Sequence, residues 1–93
     1  MNLRKYARGK PCMVRLPGCN NNPETTILAH WRDASTGMSK KSNDLCAAWC
    51  CSDCHDSIDG RSWMDGYSPM DLKFAHLEAI LRTIQALSDE GVI

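Results

Sequence analysis

The sequence predicts a single small α+β domain, and three observations carry that reading. Six cysteines stand in 93 residues, two of them as the Cys51-x2-Cys54 step. Two short β-prone stretches flank a polar loop running from Arg32 to Asn43. A long amphipathic pattern with marked ends closes the chain. A chain this short buries only part of its unfolded surface, so a hydrophobic core alone is a marginal source of stability and a staple is expected.

Net charge is zero, but it is unevenly spread. Arg4, Lys5, Arg8, Lys10 and Arg15 give the first 15 residues five positive charges and no negative one, leaving six basic and eleven acidic side chains in the remainder. Residues 1–11 therefore read as a basic N-terminal arm closed by Pro11, suited to phosphate contact because Lys and Arg supply most sequence-independent DNA affinity. A solvated, frayed terminus explains the same composition. Lys40 and Lys41 in the polar loop add to the candidate nucleic-acid contacts.

Residues 12–24 are rich in Gly, Asn and Pro, with Cys12 and Cys19 bracketing the turn Pro17-Gly18. Thr25 to Trp31 reads as a first strand and Leu45 to Trp49 as a second, a hairpin with a wide connection. Ser52 is suited to cap a short helix whose first turn holds Asp53 and Asp56 and whose C′ residue is Gly60. The last helix, over 68–90, is the clearest element. Ser68-Pro69-Met70-Asp71 supplies a cap, a proline at the first helical position and an acidic residue three after the cap. Phe74, Leu77, Ile80, Leu81, Ile84 and Leu87 recur at three- and four-residue steps, which predicts a core-facing stripe, with pairing of two subunits as the other use. Trp31, Trp49 and Trp63 are expected in the core.

Met1 to Lys10 contain no apolar run, so no secretory signal is expected, and no stretch approaches the roughly 20 apolar residues of a membrane span. A cytoplasmic location follows, where thiols stay reduced and closely spaced cysteines indicate metal rather than disulfides. Zinc takes four ligands in a tetrahedron, and Cys12, Cys19, Cys51 and Cys54 are the expected set. Cys46 and Cys50 are spares; on a strand they share a face from which Cys51 points away, so Cys50 remains an alternative to Cys51. Four thiolates around one zinc carry a net charge of minus two and leave no open coordination position. Such a site is structural.

His30 ends the first predicted strand, and His55 follows Cys54 directly. Asp59 lies four residues after His55, so both project from one helix face and can share a divalent cation. Phosphodiester hydrolysis needs a base to take a proton from water and a cation to stabilise charge on phosphate. Each histidine also has a plain structural use: His30 as a packing residue, His55 as a surface partner of Asp59 or a fourth zinc ligand. His76, at the edge of the long helix's apolar face, reads as structural.

The order Cys12…Cys19, Ala29-His30, Asn43, Cys51-x2-Cys54-His55 resembles the zinc-bearing HNH branch of the His-Me finger, or ββα-metal, nucleases. The segments Pro11-Cys12 to Cys19-Asn20, Pro23 to Thr26 and Trp49 to Asp56 resemble more closely the small prophage-encoded YbcO-like proteins, regarded as nucleases. That resemblance implies a zinc-stapled, HNH-like ββα-metal core with an added C-terminal amphipathic helix, spanning residues 1–93 as one domain. It implies His30 as general base, Asn43 as the residue bracing the site, and His55 as ligand of the catalytic metal with Asp59 beside it. The catalytic cation would be Mg²⁺, Mn²⁺, Ni²⁺ or Zn²⁺, the substrate DNA, and the setting a bacterial host cytoplasm. Two departures stand out: Ala29 occupies a position where many members carry an Asp or His metal ligand, and seven residues separate Asn43 from Cys51, with Asp44 the neighbouring candidate for the bracing role.

Two function classes compete with the endonuclease. A zinc-finger-like module that binds nucleic acid or protein without chemistry is favoured by Ala29. A small structural protein whose zinc only replaces core is the third. Oligomeric state is open, with a homodimer among the choices.

Overall fold

The computed structural model describes residues 2–31, 43–60 and 64–93. Lys40, Lys41 and Trp63 lie outside the described residues, as does the polar loop over 32–42. Among the described residues the fold is α+β. A two-stranded antiparallel sheet, β1 (Ile27–His30) with β2 (Ala47–Cys50), is accompanied by helices α1 (Leu3–Tyr6), α2 (Ser52–Ile58) and α3 (Pro69–Asp89).

Both strands are shorter than the sequence suggests. Asn22 caps a 3₁₀ turn over Pro23–Thr25 by accepting from the Glu24 N–H, and this turn removes Thr25 from β1. Before β2, the Asn43 side chain accepts from the Leu45 N–H at 2.8 Å, making a turn of the segment that includes Leu45 and Cys46. The register pairs Ile27 with Cys50, Leu28 with Trp49, Ala29 with Ala48 and His30 with Ala47.

All four β2 residues are buried, because elements close on both faces and along its free edge. The backbone of Trp49 points away from β1, as expected for a non-hydrogen-bonded antiparallel pair. Its N–H donates to Thr83 Oγ1 on α3 at 3.0 Å, and its carbonyl accepts from the Met13 N–H at 2.8 Å. One helix side chain and one loop amide thus satisfy an edge that would otherwise be open for aggregation. Alternation splits the core in two. Ala29, Ala48 and Cys50 pack with Val14, Leu16, Ala79 and Ile80, while Leu28, Ala47 and Trp49 pack with Ala7 and Leu87.

The first eleven residues are not a free arm. Asn2 caps α1, Tyr6 lies 6.4 Å from the Trp49 ring, and Ala7 is fully buried. The Lys10 ammonium sits over the Tyr6 ring and is bound by the carboxylate of Glu90 just past α3, fastening the start of the chain to its end.

The caps of α3 are those read from the sequence: Ser68 and Asp71 form a reciprocal capping box, with Pro69 at the first helical position. Its buried face is not. Phe74, Leu77 and Leu81 are exposed, and the face against the sheet is His76, Ala79, Ile80, Thr83 and Leu87. Apolar periodicity merged two faces of the helix into one, because a histidine and a threonine hold central places on the buried side. Trp49 is core as expected, and Trp31 is partly buried.

Candidate metal centre and histidine pairs

The Sγ atoms of Cys12, Cys19, Cys51 and Cys54 all lie within 4.8 Å of one another. Cys12 and Cys19 come from the N-terminal loop, which the Met13–Trp49 bond fixes to β2 and which a Leu16–Cys19 turn folds back on itself. Cys51 is itself the N-cap of α2, its sulfur accepting from the Cys54 N–H, so the cap is one residue before the expected Ser52. Asn20 to Ser52 and Ser52 to Thr25 hydrogen bonds tie the loop to the start of α2. Cys51 and Cys19 sulfurs are 3.7 Å apart. That is far beyond a disulfide bond, and close to the ~3.8 Å edge of a tetrahedron whose metal–sulfur distance is about 2.3 Å.

The Cys12 thiol is pulled far below its ordinary range by thiol hydrogen bonds from Cys50 and Cys54. Cys54 and Cys50 are pushed far above theirs, each by sharing that bond with Cys12 and then by burial. Burial also raises Cys19. Burial and shared thiol hydrogen bonds thus work against several thiolates side by side around Cys12, and a bound cation would take the place of the protons. The donor set fits a metal such as zinc. Cys50 touches this group but stands outside the converging four, its S–H donating to the Cys51 carbonyl at 3.4 Å. Cys46 is exposed.

His30 and His55 each hold a carboxylate. His30 Nε2 lies 2.7 Å from Asp44 Oδ1 at the turn before β2. A carboxylate only accepts, so Nε2 carries the proton and Nδ1 is the basic nitrogen. Asp44, the neighbouring candidate for the bracing role, is thus the residue beside His30, while the Asn43 side-chain oxygen accepts from the Leu45 N–H. The His30 hydrogen bond, and the nearby charges of His30 and Arg4, hold the Asp44 carboxyl below its usual range. Arg4 Nε is 3.7 Å from the same oxygen, so α1 delivers its guanidinium group to the edge of this pair. Arg4, Lys5 and Arg8 are exposed, whereas Lys10 is paired with Glu90.

His55 Nε2 and Asp59 Oδ2 are 3.2 Å apart on one face of α2. Ligands about 2.1 Å from one ion sit about 3 Å apart at right angles, so the two fit adjacent positions on a divalent cation. Among the described residues no third His, Cys, Asp or Glu joins them within 4.8 Å, and His30 is not in that group. A cation there would be held by two protein ligands with the rest of its coordination open.

His76 is the residue that sequence reasoning undervalued. It is buried, its Nε2 donates to the Ala29 carbonyl at 2.9 Å, and its ring lies 5.5 Å from the Trp31 ring. It therefore grips the residues on both sides of His30. Burial lowers its pKa; the Asp59 charge opposes that, and the His55 and His30 charges add to it. The signal was present in the spacing of His76, Ala79 or Ile80, Thr83 and Leu87, which marks one helical face once polar residues are admitted to it.

A family model described as "Putative nuclease YbcO" matches residues 1–92. "Putative nuclease YbcO" of Escherichia coli K12 is 48% identical over 96 residues, covering 99% of this chain and 96% of that one. "Putative nuclease ybcO" of Enterobacteria phage 82 matches with the same identity and coverage. A solved structure of "a putative bacteriophage protein" from Escherichia coli K-12 MG1655 superposes with a TM-score of 0.79 at 44% identity, covering 97% of this chain and all of that one. No helix among the described residues is long and apolar enough to cross a membrane.

Proposed function

The chain belongs to the YbcO family, whose members carry the description "putative nuclease", and on that premise we propose that it is a metal-dependent DNA endonuclease of HNH type. The observation that carries the chemistry is the His30–Asp44 pair, 2.7 Å apart with Arg4 alongside. His30 takes the proton of the attacking water at Nδ1, the nitrogen that Asp44 leaves free. Asp44 fixes the tautomer and stabilises the imidazolium that forms. Arg4, with Lys5 on the same short helix and Arg8 in the turn that follows it, binds phosphates and draws the DNA backbone toward His30.

His55 and Asp59 are the residues that would hold a divalent cation, which supplies positive charge for the phosphate and the departing oxygen. Cys12, Cys19, Cys51 and Cys54 are the residues that would hold zinc, which would lock the N-terminal loop to α2 so that α2 presents His55 at a fixed place relative to β1. The strand–strand–helix order from Ile27 to Ile58 supports the HNH reading. A phage relative supports a role in phage DNA processing inside a bacterial cell.

A non-catalytic nucleic-acid-binding module is the second reading, favoured by Ala29 and by the two-ligand character of the His55–Asp59 pair. The test is plasmid relaxation by chelator-treated protein re-supplied with Mg²⁺, Mn²⁺, Ni²⁺ or Zn²⁺, beside a gel-shift assay on the same DNA. Cation-dependent relaxation is expected. A shifted band with no cleavage under any cation would replace the nuclease by the binding module.

A further inference from the structure

We infer that α3 carries a second, outward apolar seam through which two copies of this chain pair side by side and in parallel. Met70, Phe74 and Leu81 are 72%, 61% and 61% exposed, and Leu77 is 45% exposed, all on the helix face opposite His76, Ala79 and Thr83. Single exposed apolar residues are ordinary, but four aligned on one helix are not. Together they present on the order of 400 Å² of apolar surface, as large as the main patch of many monomers.

The spacing says what covers them. Met70, Phe74, Leu77, Leu81 and the half-buried Ile84 follow one another at steps of four, three, four and three. That is the alternation of the a and d positions of a coiled coil, whose preferred occupant is another helix with the same repeat. A core-packing face drifts at 3.6 residues per turn, and the inner face of α3 is already occupied by β2.

Charge selects a second copy and its direction. With Met70 at a d position, Lys73 falls at g and Glu78 at the following e, five residues on, the pair that meets across a parallel two-helix seam. A two-fold axis makes this contact twice. In the antiparallel register that stacks the seam on itself, Glu78 instead meets its own counterpart. Glu78 makes a loose 3.9 Å contact with Arg82, and Lys73 stands 6.0 Å from the Trp31 ring, so among the described residues neither shows a tight ion pair. The seam runs from 70 to 84, about 21 Å of helix, and sits at the small end of specific interfaces, so a weak, concentration-dependent dimer is expected.

Sedimentation velocity on the zinc-loaded full chain, from about 1 to 200 µM, reads this directly. The wild type should pass from monomer to dimer across the range. Phe74→Glu with Leu81→Glu should stay monomeric with unchanged helicity and zinc content, since both side chains face solvent in the monomer. Glu78→Lys should weaken the dimer several-fold, and Lys73→Glu added to it should restore the wild-type affinity. A wild type that remains monomeric at the highest concentration overturns the inference, as does a double glutamate variant that still dimerises. A Glu78→Lys variant that dimerises as tightly as the wild type, one like-charge pair having replaced another, or more tightly, overturns the parallel pairing.

Discussion

Thr26 and His76 show how single side chains set local stability. The Thr26 hydroxyl is buried with no hydrogen-bond partner among the described residues. Thr26→Val keeps the shape and removes the stranded group, so it should raise unfolding free energy by about 1 kcal/mol in urea titration. A lower urea midpoint would mean that the hydroxyl has a partner. His76 is a base whose folded pKa burial holds below that of the unfolded chain. Between the two values the unfolded state binds the extra proton, so stability rises with pH through that window. Below the unfolded value, near 6.5, it falls until the folded value is reached. His76→Gln retains a donor for the Ala29 carbonyl and removes the titration. Between about pH 7 and pH 5 the wild type should therefore lose more stability than the variant. Equal losses would place the acid sensitivity elsewhere, with the cysteine cluster as the other source. Asp44 acts on rate. Asp44→Asn replaces the acceptor that fixes the His30 tautomer, so cleavage should fall by about 10²- to 10⁴-fold with the fold intact.

Elements are held together here by few, specific links, and the join between α3 and β2 is the clearest. Thr83 is buried, accepts from the Trp49 N–H and donates to the Ala79 carbonyl at 2.8 Å. Thr83→Val leaves the Trp49 amide without a partner in the core and should cost about 1–3 kcal/mol, while Thr83→Ser, which keeps the oxygen, should cost less. Thermal unfolding of the two variants side by side checks this; equal losses would assign the effect to the methyl group. The ends of α3 were legible in Ser68, Pro69 and Asp71 because capping is local chemistry. Its inner face was not, because Thr83 is chosen by a strand amide 34 residues earlier, and no helical pattern contains that amide. The strand limits failed for a related reason: Asn22 and Asn43 each turn the backbone just before a strand begins.

At the scale of the molecule, the cysteine cluster decides whether the other parts meet at all. Cys51→Ala should abolish stoichiometric zinc and most helicity, whereas Cys50→Ala should keep one zinc per chain by native mass spectrometry. Zinc retained by both variants would show that Cys50 can serve as the fourth ligand. The convergence of Cys12, Cys19, Cys51 and Cys54 was readable from spacing, since two close pairs of thiols need only one fold of the loop to meet. The partner of His30 was less so. Asp44 is 14 residues away across a loop, and the sequence offered Asn43 and Asp44 side by side without saying which side chain turns inward. His30 is the residue on which the functional account rests. The deciding measurement is the single-turnover rate of plasmid cleavage by wild type beside His30→Ala, at matched zinc content and helicity. The account predicts cation-dependent cleavage by the wild type and a loss of at least about 10²-fold in the variant. Equal cleavage by the two proteins would contradict it.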